Sequence, residues 1–162
     1  MDEIESLCRV LDEETRVCTA LTGVLRAEQA AVVHLRPEAI VACLEERQSV
    51  HDTLAALAAT RRALVRGLAG RYGGAAGTTA TSLVPFLPLE RRGRVQSAVK
   101  RLRRALLEAR GLERQNALLA GAGAAHVNEL LAALRALVPG MRYDAAARLA
   151  PPAQPERVDR RA

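Results

Sequence analysis

The sequence predicts an all-α protein in which three long helices form an elongated, antiparallel, coiled-coil-like bundle. Leucine, alanine and arginine dominate the 162 residues, whereas tryptophan is absent, phenylalanine occurs once and tyrosine twice. This composition favours helices and lacks the aromatic and β-branched side chains that strands prefer. Apolar residues also recur at spacings of three and four, which is the period of an amphipathic helix. A chain of this length is expected to form one domain with its own core.

The first helix is predicted over about residues 2 to 35, a length of roughly 50 Å. Alternating steps of three and four residues select a coiled-coil seam in which two glutamates interrupt the apolar positions. Its members are Ile4, Leu7, Leu11, Glu14, Cys18, Leu21, Leu25, Glu28, Val32 and Leu35.

The second helix is predicted over about residues 38 to 71. Pro37 suits a first helical turn, so at this point either a new helix begins or one long helix kinks. The seam resumes at Ile40, Leu44, Gln48, His51, Leu54, Ala58, Val65 and Leu68. Because an unpaired buried polar group costs roughly 1 to 3 kcal/mol, His51 is expected to be hydrogen-bonded or to face the edge of the bundle.

A crossover of about residues 73 to 88 follows, rich in glycine, serine, threonine and proline. Such a composition is typical of a flexible connection without helix or sheet. Its glycines are not followed by Gly-Lys-Ser/Thr, so the pattern of a phosphate-binding loop is missing and no nucleotide cofactor is expected.

The third helix is predicted over about residues 89 to 138. Its first part carries the seam Val95, Val99, Leu102, Leu106, Ala109, Leu112, Asn116 and Leu119. Asn116 interrupts the seam and, like His51, is expected to be hydrogen-bonded or at an edge. Gly121 and Gly123 then form the weakest point, because each glycine costs about 1 kcal/mol relative to alanine inside a helix.

Beyond these glycines lies an amphipathic segment whose apolar stripe is the candidate binding surface for a substrate protein. The stripe comprises Val127, Leu130, Leu131, Leu134, Leu137 and Val138. Two interpretations stay open: the stripe is ordinary core and the glycines allow close helix approach, or the helix can leave its bundle and bind another protein. Pro139 and Gly140 end the helix, so residues 1–138 are expected to form a single helical domain and residues 139–162 a flexible C-terminal tail.

The net charge of +6 is unevenly distributed along the chain. Residues 1–60 carry a net charge of −6 and residues 61–162 a net charge of +12, and residues 91–104 contain seven basic side chains and no acid. The favoured interpretation is a helix face that is solvated or paired with the acidic first helix. A nucleic-acid-binding helical protein is the alternative, although stacking aromatics and a recognition motif are missing. A purely structural coiled-coil protein, such as a homodimer, is a further alternative.

The sequence offers no pattern of an enzyme or a metal site. The three histidines, His34, His51 and His126, lie in separate helical contexts without a second ligand at the spacing that metal sites use. The odd set Cys8, Cys18 and Cys43 has no C-x-x-C pair, so reduced packing cysteines are expected. The acidic N-terminus and the lack of an uninterrupted apolar run of about 20 residues favour a cytoplasmic protein without stable membrane insertion.

Several segments together resemble the FlgN-type flagellar export chaperones over about residues 4 to 149. They are Glu28 within "RAEQAAV", "EERQ" followed by "ATRR" in the second helix, Asn116 before "ALL", and Tyr143 after the last helix. The order and approximate spacing of these segments are those of the family. The chain departs from the family at Gly111, Leu112 and Glu113, where a second asparagine is frequent, and at "DAAA" after the tyrosine, where a glycine is usual.

This resemblance implies a cytoplasmic chaperone, and the free protein is expected to be a monomer or homodimer. Proteins similar to this one bind hook-filament junction proteins of the FlgK and FlgL type, prevent their premature assembly and deliver them to the type III export gate. The resemblance implies that the apolar stripe binds the substrate protein and that Tyr143 docks to the cytosolic domain of the gate component FlhA. A lone aromatic side chain is a suitable anchor, since few torsions order a large surface. Alternatively, Tyr143 packs back on the bundle as a cap contact.

Overall fold

The computed structural model describes residues 2–75, 77–137, 142–143 and 149–150 and confirms the all-α prediction. The helices are α1 (Glu3–Val33), α2 (Pro37–Tyr72), the short α3 (Ala80–Leu83) and α4 (Leu89–Leu137), and a 3-10 turn covers Val84–Phe86. Two strands of two residues each, β1 (Arg142–Tyr143) and β2 (Leu149–Ala150), pair in antiparallel orientation. Such a short ladder does not change the fold class.

A sharp reversal separates α1 from α2, so a new helix begins at Pro37. Leu35 adopts a left-handed backbone conformation with φ of 51°, and the N–H of Arg36 donates to the carbonyl of Ala31 at 2.9 Å. These are the features of a helix that ends in a tight C-terminal cap. At the other end of α1, the Asp2 carboxylate accepts a hydrogen bond from the N–H of Ile4 and caps the helix.

Ion pairs between the long helices establish their directions. The pairs between α1 and α2 run in opposite order along the two helices: Glu3–Arg71, Glu14–Arg61 and Glu28–Arg47. Those between α1 and α4 run in the same order: Asp2–Arg91, Glu5–Arg94 and Asp12–Arg101. Thus α2 is antiparallel to α1, and α4 returns parallel to α1, as in an up-down-up bundle.

The ion pairs with α4 account for part of the positive charge of the basic stretch, residues 91–104. Three of its cations, Arg91, Arg94 and Arg101, pair with carboxylates of α1 at 3.3, 3.7 and 2.6 Å. The interpretation of this stretch as a partner for the acidic first helix is confirmed for these three residues. Each such exposed pair contributes little stability alone, but together they match the charges of α1 and α4.

The main core joins α1, α2, α3 and the first part of α4. Its fully buried large side chains are Leu7, Leu11, Leu68, Leu83, Leu87 and Val95. The predicted seam of α1 is confirmed from Ile4 to Glu28, which are all buried at the predicted positions. Leu35, its last predicted member, is 84% exposed because α1 has already ended.

The predicted seam of α2 is wrong in its first half. Leu44 and Gln48 are exposed, whereas Arg47 and Val50 lie on the partly buried side of the helix. Arg47 occupies this side because its guanidinium pairs with a buried carboxylate of α1. His51 is largely exposed and contacts Glu113 of α4 at 3.2 Å, so the expectation for that residue is confirmed.

The prediction of a crossover without regular structure is wrong for its second half. The side chains of Thr79 and Ser82 cap α3 reciprocally, each bonding to the backbone N–H of the other. Leu83 and Leu87 are at most 1% exposed and belong to the core. Two buried leucines therefore hold the segment in place, and the segment is too short to show a helical period.

The chain divides into two compact units, residues 1–119 and residues 120–162, and the boundary lies within α4. Unit 1 contains both hydrophobic clusters of buried residues.

Among the described residues, α4 is the one helix that meets the length and composition criterion for crossing a membrane, and the stretch that meets it is not buried. Length and composition alone make one such helix weak evidence for a membrane span.

The burial of the cysteines reports which face of α1 lies in the core. Cys8 and Cys18 are at most 1% exposed, Cys43 is half-buried, and all three are free thiols. Burial raises the pKa of Cys8, and burial raises the pKa of Cys18 to about 11.

We expect a thiol reagent at pH 8 to modify Cys43 first, because only thiolates react and the other two thiols are buried and protonated. Mass spectrometry of the labelled chain checks this, with full labelling in concentrated urea as the control. Equal labelling of all three thiols in the folded protein would contradict the buried seam.

Candidate functional site

Three described members of the candidate stripe on α4 are exposed. Val127, Leu130 and Leu134 are 54%, 52% and 55% exposed, and Leu131 is half-buried. The side chain of Leu137 and all of Val138 lie outside the described residues. The positions 127, 130 and 134 share one face of the helix, since they are separated by three and four residues. These three side chains are thus exposed in the structure, and binding of a substrate protein by the stripe stays a prediction.

Gly121 and Gly123 lie within α4, which continues through them without a break. Within the described part of the chain, a Cβ atom added at either position would have no heavy atom within 4 Å. Close approach of another helix therefore does not account for these glycines. Their effect is to lower the helical propensity of α4 immediately before the stripe.

Tyr143, the candidate gate-docking residue, lies in β1. Its backbone pairs with Leu149 of β2, and Arg142 pairs with Ala150. The surroundings of the tyrosine ring and the other residues of the predicted tail, 138–141, 144–148 and 151–162, lie outside the described part of the chain. Docking through Tyr143 stays a prediction.

A polar cluster joins the three long helices at a buried carboxylate. Glu28 of α1 is 7% exposed and accepts hydrogen bonds from Arg47 of α2 at 3.0 and 3.1 Å. Asn116 of α4, also 7% exposed, donates to the Leu25 carbonyl at 2.8 Å and to Glu28 Oε2 at 3.1 Å. We call Glu28, Arg47 and Asn116 the three-helix cluster. It confirms that Asn116 is hydrogen-bonded and gives the buried charge the partners that it requires.

Glu14 is a second buried carboxylate, and its ion pair links only α1 and α2. Arg61 Nε donates to its two oxygens at 3.1 and 2.8 Å. Burial raises the pKa of Glu14 despite the opposing effect of Arg61. The stability that this group contributes is thus present at low pH and is lost as the pH rises through its raised pKa. Glu14 and Glu28 are the two glutamates that interrupt the predicted seam, and their arginine partners were not predicted from the sequence.

A cavity of about 560 Å³ lies between α2 and the first part of the crossover. Arg61, Arg62 and Arg66 line it together with the backbone around Thr78 and Thr79. Two of its polar groups are used by the fold, since Arg61 bonds to Glu14 and the Thr79 hydroxyl caps α3. Among the described residues, no three His, Cys, Asp or Glu side chains come together in a way that could hold a metal ion.

A comparison with models of known protein families identifies the family of this helical chain. The family model described as FlgN protein matches residues 1–151, which is most of the chain. The chain belongs to the FlgN family. At family level it is a flagellar export chaperone, in agreement with its all-α fold. Neither the curated proteins nor the solved structures gave a match to the chain.

The three-helix cluster brings together residues on which the FlgN resemblance was based. Glu28 comes from "RAEQAAV", Arg47 from "EERQ", and Asn116 precedes "ALL". Arg61 of "ATRR" makes the neighbouring pair with Glu14. In this FlgN-family chain, these residues hold the bundle together, whereas the exposed stripe lies in the other compact unit.

The role of the glycines can be tested by replacing both of them with alanine. Because both positions have space for a methyl group, Gly121→Ala/Gly123→Ala should stabilise helical structure by about 1 kcal/mol per site. Circular dichroism during thermal unfolding checks this, with Gly93→Ala as a helical control with equally open space. Lower helicity in the double variant would contradict the account of these glycines.

The role of Asn116 can be tested with Asn116→Asp. At pH 7 this change places a carboxylate beside Glu28 and removes the Nδ2 donor, so the free energy of unfolding should fall by about 2 to 4 kcal/mol. The loss should shrink at acidic pH, because a protonated aspartic acid can donate to Glu28 again. Urea unfolding followed by circular dichroism checks both points. A variant as stable as the wild type at pH 7 would show that the cluster does not hold α4.

Proposed function

We propose that this FlgN-family chaperone binds hook-filament junction proteins of the FlgK and FlgL type in the cytoplasm. In this proposal the chaperone prevents their premature assembly and delivers them to the cytosolic domain of FlhA at the type III export gate. The observation that carries the proposal is the exposed face of α4 formed by Val127, Leu130 and Leu134. The family assignment supports it.

The exposed stripe suits recognition of an amphipathic segment of a partner. Three large apolar side chains at helical spacing present one continuous face that can lie in an apolar groove or beside another helix. Burying a leucine or valine contributes about 1.5 to 3 kcal/mol. Covering this face would therefore provide a substantial part of the affinity while hiding an assembly surface of the cargo.

The nucleic-acid alternative loses part of its basis in the structure. Arg91, Arg94 and Arg101 are engaged by carboxylates of α1, so only part of the basic stretch is available for phosphates. A salt titration separates the two modes of binding. A phosphate-driven complex weakens steeply with salt, whereas an apolar complex between helices changes little.

The stripe is tested by Leu130→Asp/Leu134→Asp. Both side chains are more than half exposed, so the bundle should stay folded while affinity for a junction-protein segment falls by at least 100-fold. Calorimetric titration measures the affinity, and circular dichroism verifies the fold. Leu107→Asp/Leu118→Asp is the matched control, since these exposed leucines of α4 lie outside the stripe. Melting of the whole protein in the stripe variant would assign the stripe to the core, as in a purely structural coiled coil.

The two binding roles are separated by Tyr143→Ala. Tyr143 lies beyond the end of α4 and so cannot continue the face of Leu130 and Leu134. Affinity for the junction protein should stay nearly unchanged, while docking of the loaded complex to the FlhA cytosolic domain should weaken by about 2 kcal/mol or more. Two calorimetric titrations with wild type and variant provide the comparison. Equal losses in both would assign Tyr143 to cargo binding or to the fold, and unchanged gate binding would remove it from the site.

A further inference from the structure

A row of basic side chains follows the solvent face of α4 before the stripe. Its members are all exposed, and we call them the cationic ridge: Lys100, Arg103, Arg104, Arg110 and Arg114. None of them forms an ion pair with another described residue. The ridge thus differs from Arg91, Arg94 and Arg101, whose charges are matched by α1.

The opposite face of α4 holds the ridge in a fixed orientation. Val95, Ala98, Leu102, Ala109 and Asn116 are buried against the rest of unit 1. Since Lys100, Arg103, Arg110 and Arg114 follow steps of three, seven and four residues, they stay on the face that points away from this core. The ridge extends over roughly 20 Å at 1.5 Å per residue.

The acidic residues near the ridge do not neutralise it. Between positions 100 and 118 the acidic side chains are Glu108 and Glu113. Glu108 pairs with Arg26 of α1 at 2.8 Å, and Glu113 contacts His51 of α2 at 3.2 Å. Both carboxylates are therefore directed to the flanks of α4, where the neighbouring helices lie, and the ridge presents cations only.

Two leucines project from the same face as these cations. Leu107 is 59% exposed and Leu118 is 75% exposed. Positions 100, 103, 107, 110, 114 and 118 form one continuous series with steps of three and four residues. The face therefore combines positive charge with large apolar side chains along a single rigid helix.

We propose that this face docks on the surface of an anionic lipid bilayer. The cations would lie among acidic headgroups, while Leu107 and Leu118 would enter the boundary between headgroups and acyl chains. A basic helix face with leucines is the pattern of such interfacial helices. This part of α4 would lie on the membrane surface and would not span the membrane, because its other face, from Val95 to Asn116, is buried in the bundle.

Nucleic acid fits this face less well. A phosphate backbone would satisfy the cations but would offer no apolar partner to Leu107 and Leu118. Single-stranded nucleic acids are usually bound by stacking on aromatic rings, and residues 100–118 contain none. The leucines are therefore the observation that favours the bilayer.

Membrane docking goes beyond the proposed function and stands on a different face of the chain. If the chaperone delivers cargo to a gate in the membrane, the ridge would concentrate it on the surface where that gate lies. The cargo stripe belongs to unit 2 and the ridge to unit 1, so the two can be tested separately.

The experiment is flotation of the full chain with lipid vesicles. One preparation contains phosphatidylcholine only, and the other contains phosphatidylcholine with phosphatidylglycerol. The ridge variant is Arg103→Gln/Arg110→Gln/Arg114→Gln, in which glutamine preserves helical propensity. The matched control, Arg36→Gln/Arg62→Gln/Arg66→Gln, removes the same charge from exposed arginines of the α1–α2 turn and α2.

We expect wild type to bind the anionic vesicles and not the neutral ones. Each cation near the surface contributes about a fivefold factor, so the ridge variant should lose about 100-fold in partition coefficient. The control should lose much less. A second variant, Leu107→Ser/Leu118→Ser, should lose about tenfold on the same vesicles. Affinity of the ridge variant for cargo should be unchanged, which keeps this test distinct from that of the stripe.

Three results would overturn the proposal. The first is failure of wild type to bind anionic vesicles. The second is an equal loss in the ridge variant and the matched control, which would show only an effect of net charge. The third is tighter binding of wild type to a DNA duplex or an RNA strand at the same salt concentration, with no effect of Leu107→Ser/Leu118→Ser. That last result would assign the ridge to nucleic acid.

Discussion

The carboxylate of Glu28 is the contact on which the arrangement of all three long helices depends. It is buried, and it is bonded by Arg47 from α2 and by Asn116 from α4. Leucine seams alone allow neighbouring helices to slide by one heptad at modest cost. A buried charge with partners on two other helices does not, because any shift leaves it unpaired in a poorly solvated environment. We therefore attribute the register of the bundle largely to this cluster, with Glu14 and Arg61 providing a second fixed point between α1 and α2.

The two parts of α4 differ in how much of their surface is buried. Up to Asn116, one face of the helix is buried against the bundle and is held by apolar packing and hydrogen bonds. From Ala120 onward, the described side chains are exposed except for the half-buried Leu131, and two glycines weaken the helix. A segment with few buried contacts has low local stability and can adapt to a partner. In the proposed function this separation is useful, because the bundle would stay intact while the exposed segment adjusts to the cargo.

The sequence predicted the fold class, the three long helices and the seam of α1, because long periodic patterns of leucine depend little on context. It failed at Arg47, since a hydrophobic pattern treats arginine as a solvent-facing residue and contains no information about a buried carboxylate on another helix. It also failed at Leu83 and Leu87, where the structured segment is too short to show a period. For the stripe, Leu130 and Leu134 fit a core face and a binding face equally well, because a hydrophobic pattern does not state what covers it; in the structure both side chains are exposed. The segments that resemble the FlgN family pointed to Glu28 and Asn116, but not to their meeting in space.

The central claim is that Asn116 marks the end of the part of α4 that is held by the bundle and that a partner covers the part beyond it. Hydrogen exchange of the full chain, measured with and without a junction-protein segment, tests this most directly. The account predicts slow exchange of amides from about Val95 to Asn116 in both states, and fast exchange from Ala120 to Ala136 that becomes slow when the segment is bound. Uniform protection along the whole of α4 in the free protein would contradict it. So would protection by the segment that appears on α1 and α2 instead of beyond Asn116.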